Sequence, residues 1–216
     1  MNSRFTLPAA LLLCAFTLHA GAISPAITFT APPIDAGLAN GSNVLGWSFN
    51  VITTITVDAL GNYDASLANS NFAPWEYSHD VGLWSPSGVL LASTTVHPGD
   101  PAIGYFRYAE ITPVVLTPGD GYIVAGVSFS DGYFTPFYEY PGTPFTTIPA
   151  IEFVASAYAS GSDLVIPGHF DPEVHGWFGA SFSAVEGRTP AVPEPGTWAL
   201  MLMGVGALLA LRRRQV

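Results

Sequence analysis

The sequence predicts an all-β protein, an antiparallel β-sandwich of jelly-roll-like form, flanked by an N-terminal signal peptide and a C-terminal transmembrane helix. Three observations predict it. Apolar residues in the central region recur at every second position, turn residues punctuate those runs, and each end of the chain holds an apolar segment beside arginine. An extended chain points successive side chains to opposite faces, so a period of two marks strands with a buried face. Between the end segments no i, i+3, i+4, i+7 apolar stripe carries caps. Pro or Gly interrupts nearly every window of a dozen residues there, which leaves no room for helices of ordinary length.

The elements follow in order. Arg4 gives a positive start, Leu7 to Leu18 an apolar stretch and Ala20-Gly21-Ala22 a small-residue site, so residues 1–22 read as a signal peptide cut before Ile23. Cys14, the single cysteine, lies inside it, and Leu13 is too bulky for the small residue that precedes a lipidated cysteine. The exported chain therefore has no thiolate chemistry and no disulfide. In the domain expected at 23–185, Trp47, Phe49 and Val51 alternate with Ser48 and Asn50, and Ile55 and Val57 alternate with Thr54, Thr56 and Asp58. Ser85-Pro86-Ser87-Gly88, with Pro second and Gly last, predicts a hairpin joining 79–84 to 89–93. Thr117-Pro118-Gly119-Asp120 predicts a type II turn that makes Val114–Leu116 and Tyr122–Phe129 neighbouring strands. Ile123, Ala125, Val127 and Phe129 then alternate with smaller residues.

From Asp131 to Gly142 five aromatics stand among turn residues, which reads as a long surface loop. Tyr133, Phe134, Phe137 and Tyr138 are the candidate glycan contacts in it, because aromatic rings stack on sugar faces. The competing reading folds these rings back over an open end of the sandwich. Strand character returns at Ile151–Val154 and across Gly176–Phe182, and a polar, Pro-containing linker covers 186–192.

Charge narrows the function classes. All six basic residues are arginines, four of them in the end segments, so Arg107 and Arg188 alone face 16 acidic residues in the exported part. Such a domain repels polyanions, which excludes nucleic acid as a partner. No Gly-x-Ser-x-Gly elbow, no Cys to act with a His and no His-Glu-x-x-His helix occurs, and no catalytic residue is assigned. His169, Asp171, Glu173 and His175 fall at alternate positions, so an extended chain would place them on one side, as a Zn or other transition-metal site needs. Pro172 confines that segment to an edge strand or loop, where a plain polar connection is the ordinary explanation. Asp58, Asn62 and Asp64 around Gly61, the pair His79-Asp80, and Asp120 with Asp131 offer hard oxygens for a structural Ca ion, without the twelve-residue spacing of a calcium loop. The expectation is no cofactor, with Ca as the one candidate.

The C-terminal tail, 193–216, is the most specific signal. Pro193-Glu194-Pro195 precedes an uncharged run of 16 residues, Gly196 to Leu211, and Arg212, Arg213 and Arg214 close it. As a helix over 197–211 the run spans a little over 20 Å, against a hydrocarbon core of about 30 Å, a mismatch that bilayer thinning and snorkelling accommodate. The arginines form a membrane stop on the cytoplasmic side. Tripeptide, apolar helix and terminal basic cluster together resemble the Pro-Glu-Pro C-terminal sorting domain of Gram-negative bacteria, the substrate of the membrane-embedded protease exosortase. The resemblance implies transient residence in the inner membrane, loss of the tail and delivery to the cell surface or outside, often in species that make exopolysaccharide. A second resemblance rests on Leu45-Gly46-Trp47-Ser48-Phe49, Val81-Gly82-Leu83-Trp84, Gly88-Val89-Leu90-Leu91-Ala92, Phe106-Arg107-Tyr108 and Leu116 through Tyr122. These are similar to an uncharacterised β-sandwich module of exported bacterial proteins, over roughly 44–130. The expected function is that of a non-enzymatic surface or extracellular-matrix component of biofilm or exopolysaccharide, structural or glycan-binding. The alternatives are an extracellular enzyme acting on polysaccharide and a periplasmic protein held permanently by its tail.

Overall fold

The computed structural model describes residues 24–29, 36–38, 42–68, 74–129, 131–134, 145–173 and 176–186, and about 62% of these lie in strands. The expected signal peptide, the linker beyond Glu186 and the sorting tail lie outside the described residues. Among the described residues no helix is long and apolar enough to cross a membrane.

In chain order the elements are β1 (Ile27–Phe29), β2 (Ala36–Leu38), β3 (Asn43–Val51), β4 (Ile55–Tyr63), the single-turn helix α1 (Ala65–Ala68), β5 (His79–Trp84), β6 (Leu90–Val96) and β7 (Ala102–Ile103). There follow β8 (Phe106–Leu116), β9 (Gly119–Val127), β10 (Gly132–Phe134), β11 (Phe145–Thr147), β12 (Ile151–Ser160), β13 (His169–Asp171) and β14 (Ala180–Glu186). One sheet has six strands in the order β13-β12-β3-β9-β5-β6, the other four in the order β14-β4-β8-β7, and β1 with β11 and β2 with β10 form two small pairs. All pairings are antiparallel. The centre is one long hairpin wound upon itself. Its arms pair β5 with β6, β4 with β8 and β3 with β9, and β9 closes the winding by bonding β5 as well.

The sheets are held face to face by the residues whose alternation predicted strands. Trp47 and Phe49, both fully buried, meet Phe182 of the opposite sheet at ring distances of 5.7 and 5.0 Å. Each such ring contributes about 2–3 kcal/mol by leaving water. The one polar atom of Trp47 is satisfied across the layers, since Nε1 donates to the Ala180 carbonyl at 2.9 Å. A second apolar cluster, Val44, Trp84, Ile123, Ala125 and Val127 with Leu164 packed against it, lies apart from the main core. The alternation of Ile123, Ala125 and Val127 therefore marks that cluster, whereas Tyr122 and Val124 of the same strand enter the main core.

Two local expectations are corrected. The hairpin at 85–88 forms, with Gly88 N–H donating to the Ser85 carbonyl at 2.9 Å and Gly88 at φ 81°. The turn at 117–120 does not make a hairpin. Leu116 pairs with Ile55 in the four-stranded sheet while Tyr122 pairs with Phe49 in the six-stranded one, so the link passes between layers. Its left-handed residue is Gly121, at φ 87°, rather than Gly119. Pro-Gly reverses the chain whether the next strand returns beside the last or crosses over, and local turn chemistry does not distinguish the two. The second correction concerns 131–142, read as loop throughout, where Gly132–Phe134 pairs with Ala36–Leu38.

Candidate functional site

A buried histidine and a buried aspartate, each with part-buried polar partners, lie at one end of the sandwich. His79 opens β5 and is 1% exposed. Its Nδ1 lies 2.6 Å from the Val127 carbonyl and its Nε2 3.0 Å from Oδ2 of Asp131. Both neighbours are acceptors, so the ring holds the carbonyl through Nδ1–H and forms an ion pair with Asp131 when both nitrogens carry protons. The Asp131 carboxylate also accepts from the Tyr77 N–H at 3.2 Å. Trp75 closes over the imidazole at a ring distance of 4.3 Å and anchors itself by Nε1–H to the Tyr63 carbonyl at 3.1 Å. Phe129, between Val127 and Asp131, is held at φ 47°, a conformation costly for a residue with a Cβ. The His79 contact thus fixes the point from which the chain enters β10 and the aromatic segment.

On the facing sheet Asp64 is fully buried and accepts from Arg107 Nε at 2.7 Å. Its other oxygen accepts from the N–H and hydroxyl of Ser66 at 2.9 and 2.6 Å, capping α1. With both oxygens committed, the charge is balanced by the only Arg or Lys among the described residues. Asn62 lies between the sheets. Its buried Oδ1 has no hydrogen-bond partner and would be 2.6 Å from a Cβ on Gly126, so glycine there is what lets β4 and β9 approach. Burial pushes the hydroxyls of Tyr108 and Tyr63 well above the usual tyrosine range, and the Asp64 charge adds to the effect on Tyr63.

The residues singled out from sequence are placed as follows. Tyr133 and Phe134 lie on β10, and Phe137 and Tyr138 lie outside the described residues. His169 and Asp171 bound the short edge strand β13. The His169 ring stacks on Tyr158 at 4.8 Å, and Asp171 Oδ1 accepts the Glu173 N–H at 3.0 Å across Pro172. His175 is outside the described residues. Of the calcium candidates, Asp64 is taken by Arg107 and Ser66, Asp80 accepts from Thr95 Oγ1 at 2.6 Å, and Asp120 and Asp131 stand at opposite ends of β9. Among the described residues no three His, Cys, Asp or Glu side chains gather as a metal centre would require. The His79–Asp131 contact was not legible in the sequence, because its members are 52 positions apart and no spacing rule joins them.

Residues 191–215 match the PEP-CTERM protein-sorting motif, which marks an exported protein processed by exosortase at the membrane. No curated protein and no solved structure matches the chain. A second family model, described as Domain of unknown function (DUF4082), matches residues 30–177, a longer span than the roughly 44–130 expected from the motifs. It ends before β14, although β14 completes the four-stranded sheet. Since that match covers well over half of the sequence and includes β2 through β13, the chain belongs to the DUF4082 family.

Proposed function

We propose that this protein is a non-enzymatic component of the cell surface or the extracellular exopolysaccharide matrix, and that it binds glycan through the aromatic segment beginning at Tyr133 and Phe134. The sorting motif at 191–215 carries the reading, since it sends the domain to the compartment where such polymers lie. The anchoring of Asp131 supports it in a second way. A binding segment gains affinity when its base is fixed beforehand, because less freedom is lost on contact, and His79 and the Tyr77 N–H provide that fixation. Acidic surroundings favour a neutral or cation-bridged polysaccharide over a polyanion.

The test is a glycan array, followed by retention on the host's own exopolysaccharide, with protein recovered from the exported fraction. Selective retention that falls at least about tenfold in Tyr133→Ala/Phe134→Ala, with melting unchanged, supports glycan binding; tenfold is about 1.4 kcal/mol, no more than one large apolar side chain gains by leaving water. Retention equal in the variant would move binding elsewhere on the domain. Shortening of the polymer during incubation would replace the proposal with the polysaccharide-acting enzyme.

A further inference from the structure

Sheet edges are where β-proteins guard themselves against joining one another, and among the described residues one main edge has neither charge, proline nor a covering segment. At the outer edge of the four-stranded sheet, β14 is covered by Ser24–Ala26, through Ala26 N–H to the Phe182 carbonyl at 2.8 Å and Ala184 N–H to the Ser24 carbonyl at 3.0 Å. At the other side β7 is two residues long, and the part of β8 beyond it carries Glu110 and Pro113. In the six-stranded sheet β13 is three residues long and is followed by Pro172, while the part of β12 beyond it carries Glu152 and a bulge at Phe153/Ala155. The remaining edge is β6, Leu90–Val96. It has seven residues, is paired along its inner side with β5 with one bulge at Leu91 near the hairpin tip, and contains no charge, no proline and no glycine. Among the described residues no backbone hydrogen bond leaves its outer side.

The surroundings of β6 match. No charged residue occurs from Ser85 to Val96. At the hairpin tip Val89 and Leu90 are 59% and 48% exposed, beside Val165 and Ile166 at 43% and 38%. A groove of about 450 Å³ runs along the strand, between Leu91–Thr94 and Glu110–Val114.

We propose that β6 is a self-association edge, on which a second copy of this chain adds its own β6 antiparallel about Ser93 and makes the two six-stranded sheets one. Charge selects the occupant. Arg107 is the only Arg or Lys among the described residues, so two copies repel each other over most of their surface and meet with least repulsion along this uncharged strand, whose groove holds one acid, Glu110. A cationic partner would be drawn to the acidic faces instead. The strand also suits itself. A two-fold at Ser93 sets Ala92 against Thr94 on the regular stretch beyond the Leu91 bulge, small and β-branched partners with no like charges opposed. The described residues hold one such edge per copy, so the contact is isologous and closes at a dimer.

The test uses the full chain in mild detergent with Cys14→Ser, so that a single introduced thiol reports. Ser93→Cys should give a disulfide or short bis-maleimide dimer about tenfold more readily than Thr53→Cys, an exposed position away from the edge, because pairing raises the local thiol concentration. In sedimentation the protein with Ser93 intact should have twice the protein mass of Ser93→Lys, which brings like charges together at the two-fold. Equal cross-linking of the two cysteine variants would overturn the proposal. So would a monomeric parent chain, a dimer that survives Ser93→Lys, or capture of Ser93→Cys by a protein of different mass. If Ser93→Lys fails to fold, the cysteine pair still decides.

Discussion

At the scale of single residues, the consequences follow from charges and hydroxyls that have left water. Removing Arg107 would strand Asp64 at zero exposure with only Ser66 and the helix end to hold its charge. Arg107→Leu should lower the unfolding free energy by about 3 kcal/mol in denaturant titration, and adding Asp64→Asn should recover part of it, because the uncompensated charge is the larger cost. Tyr63 and Tyr108 give a pH dependence of known sign. Both are held neutral by burial in the folded state, whereas an unfolded tyrosine ionises near pH 10. The unfolded chain therefore loses these protons first, and stability should be flat below about pH 10 and fall as pH rises beyond it. Absorbance at the tyrosinate band should show these two ionising only with loss of structure, and Tyr108→Phe should make the decline shallower; a smooth titration of every tyrosine in the folded protein would contradict this. Little of this polar end could be read from sequence. Asp64 was legible as an oxygen donor on a turn, but not as a buried partner of Arg107, which lies 43 positions away on a strand that only the winding brings alongside.

At the scale of elements the sequence was most informative where one local rule decides. Ser85-Pro86-Ser87-Gly88 fixes its hairpin because proline presets one dihedral angle and glycine alone accepts the other cheaply. Gly88→Val should cost about 1–3 kcal/mol in a thermal melt, through backbone conformation rather than crowding, since the nearest side-chain atom to a new Cβ, Ile166 Cδ1, would be an ordinary 3.5 Å away. An unchanged melting temperature would show that the turn relaxes freely. Alternation located β3, β4 and β9 correctly but did not tell which face of β9 meets the main core. Both faces of that strand are apolar, and period two then marks a strand without saying which side is which. The short strand Gly132–Phe134 escaped for a related reason, as three residues are too few to display any period.

At the scale of the whole molecule the end segments govern fate. If the tail is the exosortase signal, replacing Pro193, Glu194 and Pro195 by alanine should leave full-length protein in the inner membrane, while the parent chain appears outside it lacking the residues beyond that motif. Peptide mass spectrometry of the extracellular fraction checks this, and recovery there of a peptide spanning Trp198 to Arg212 would refute it. The pairing of Ser24–Ala26 with β14 has a further consequence. Because the two run antiparallel, Ser24 and Glu186, the first and last described residues, both lie toward the pole where Ile55, Leu116 and Val51 sit. His79, Trp75 and Asp131 occupy the other pole, roughly 30 Å away along β9. The first and last described residues thus leave the domain at one pole, and the His79 pole is the part of the fold farthest from both.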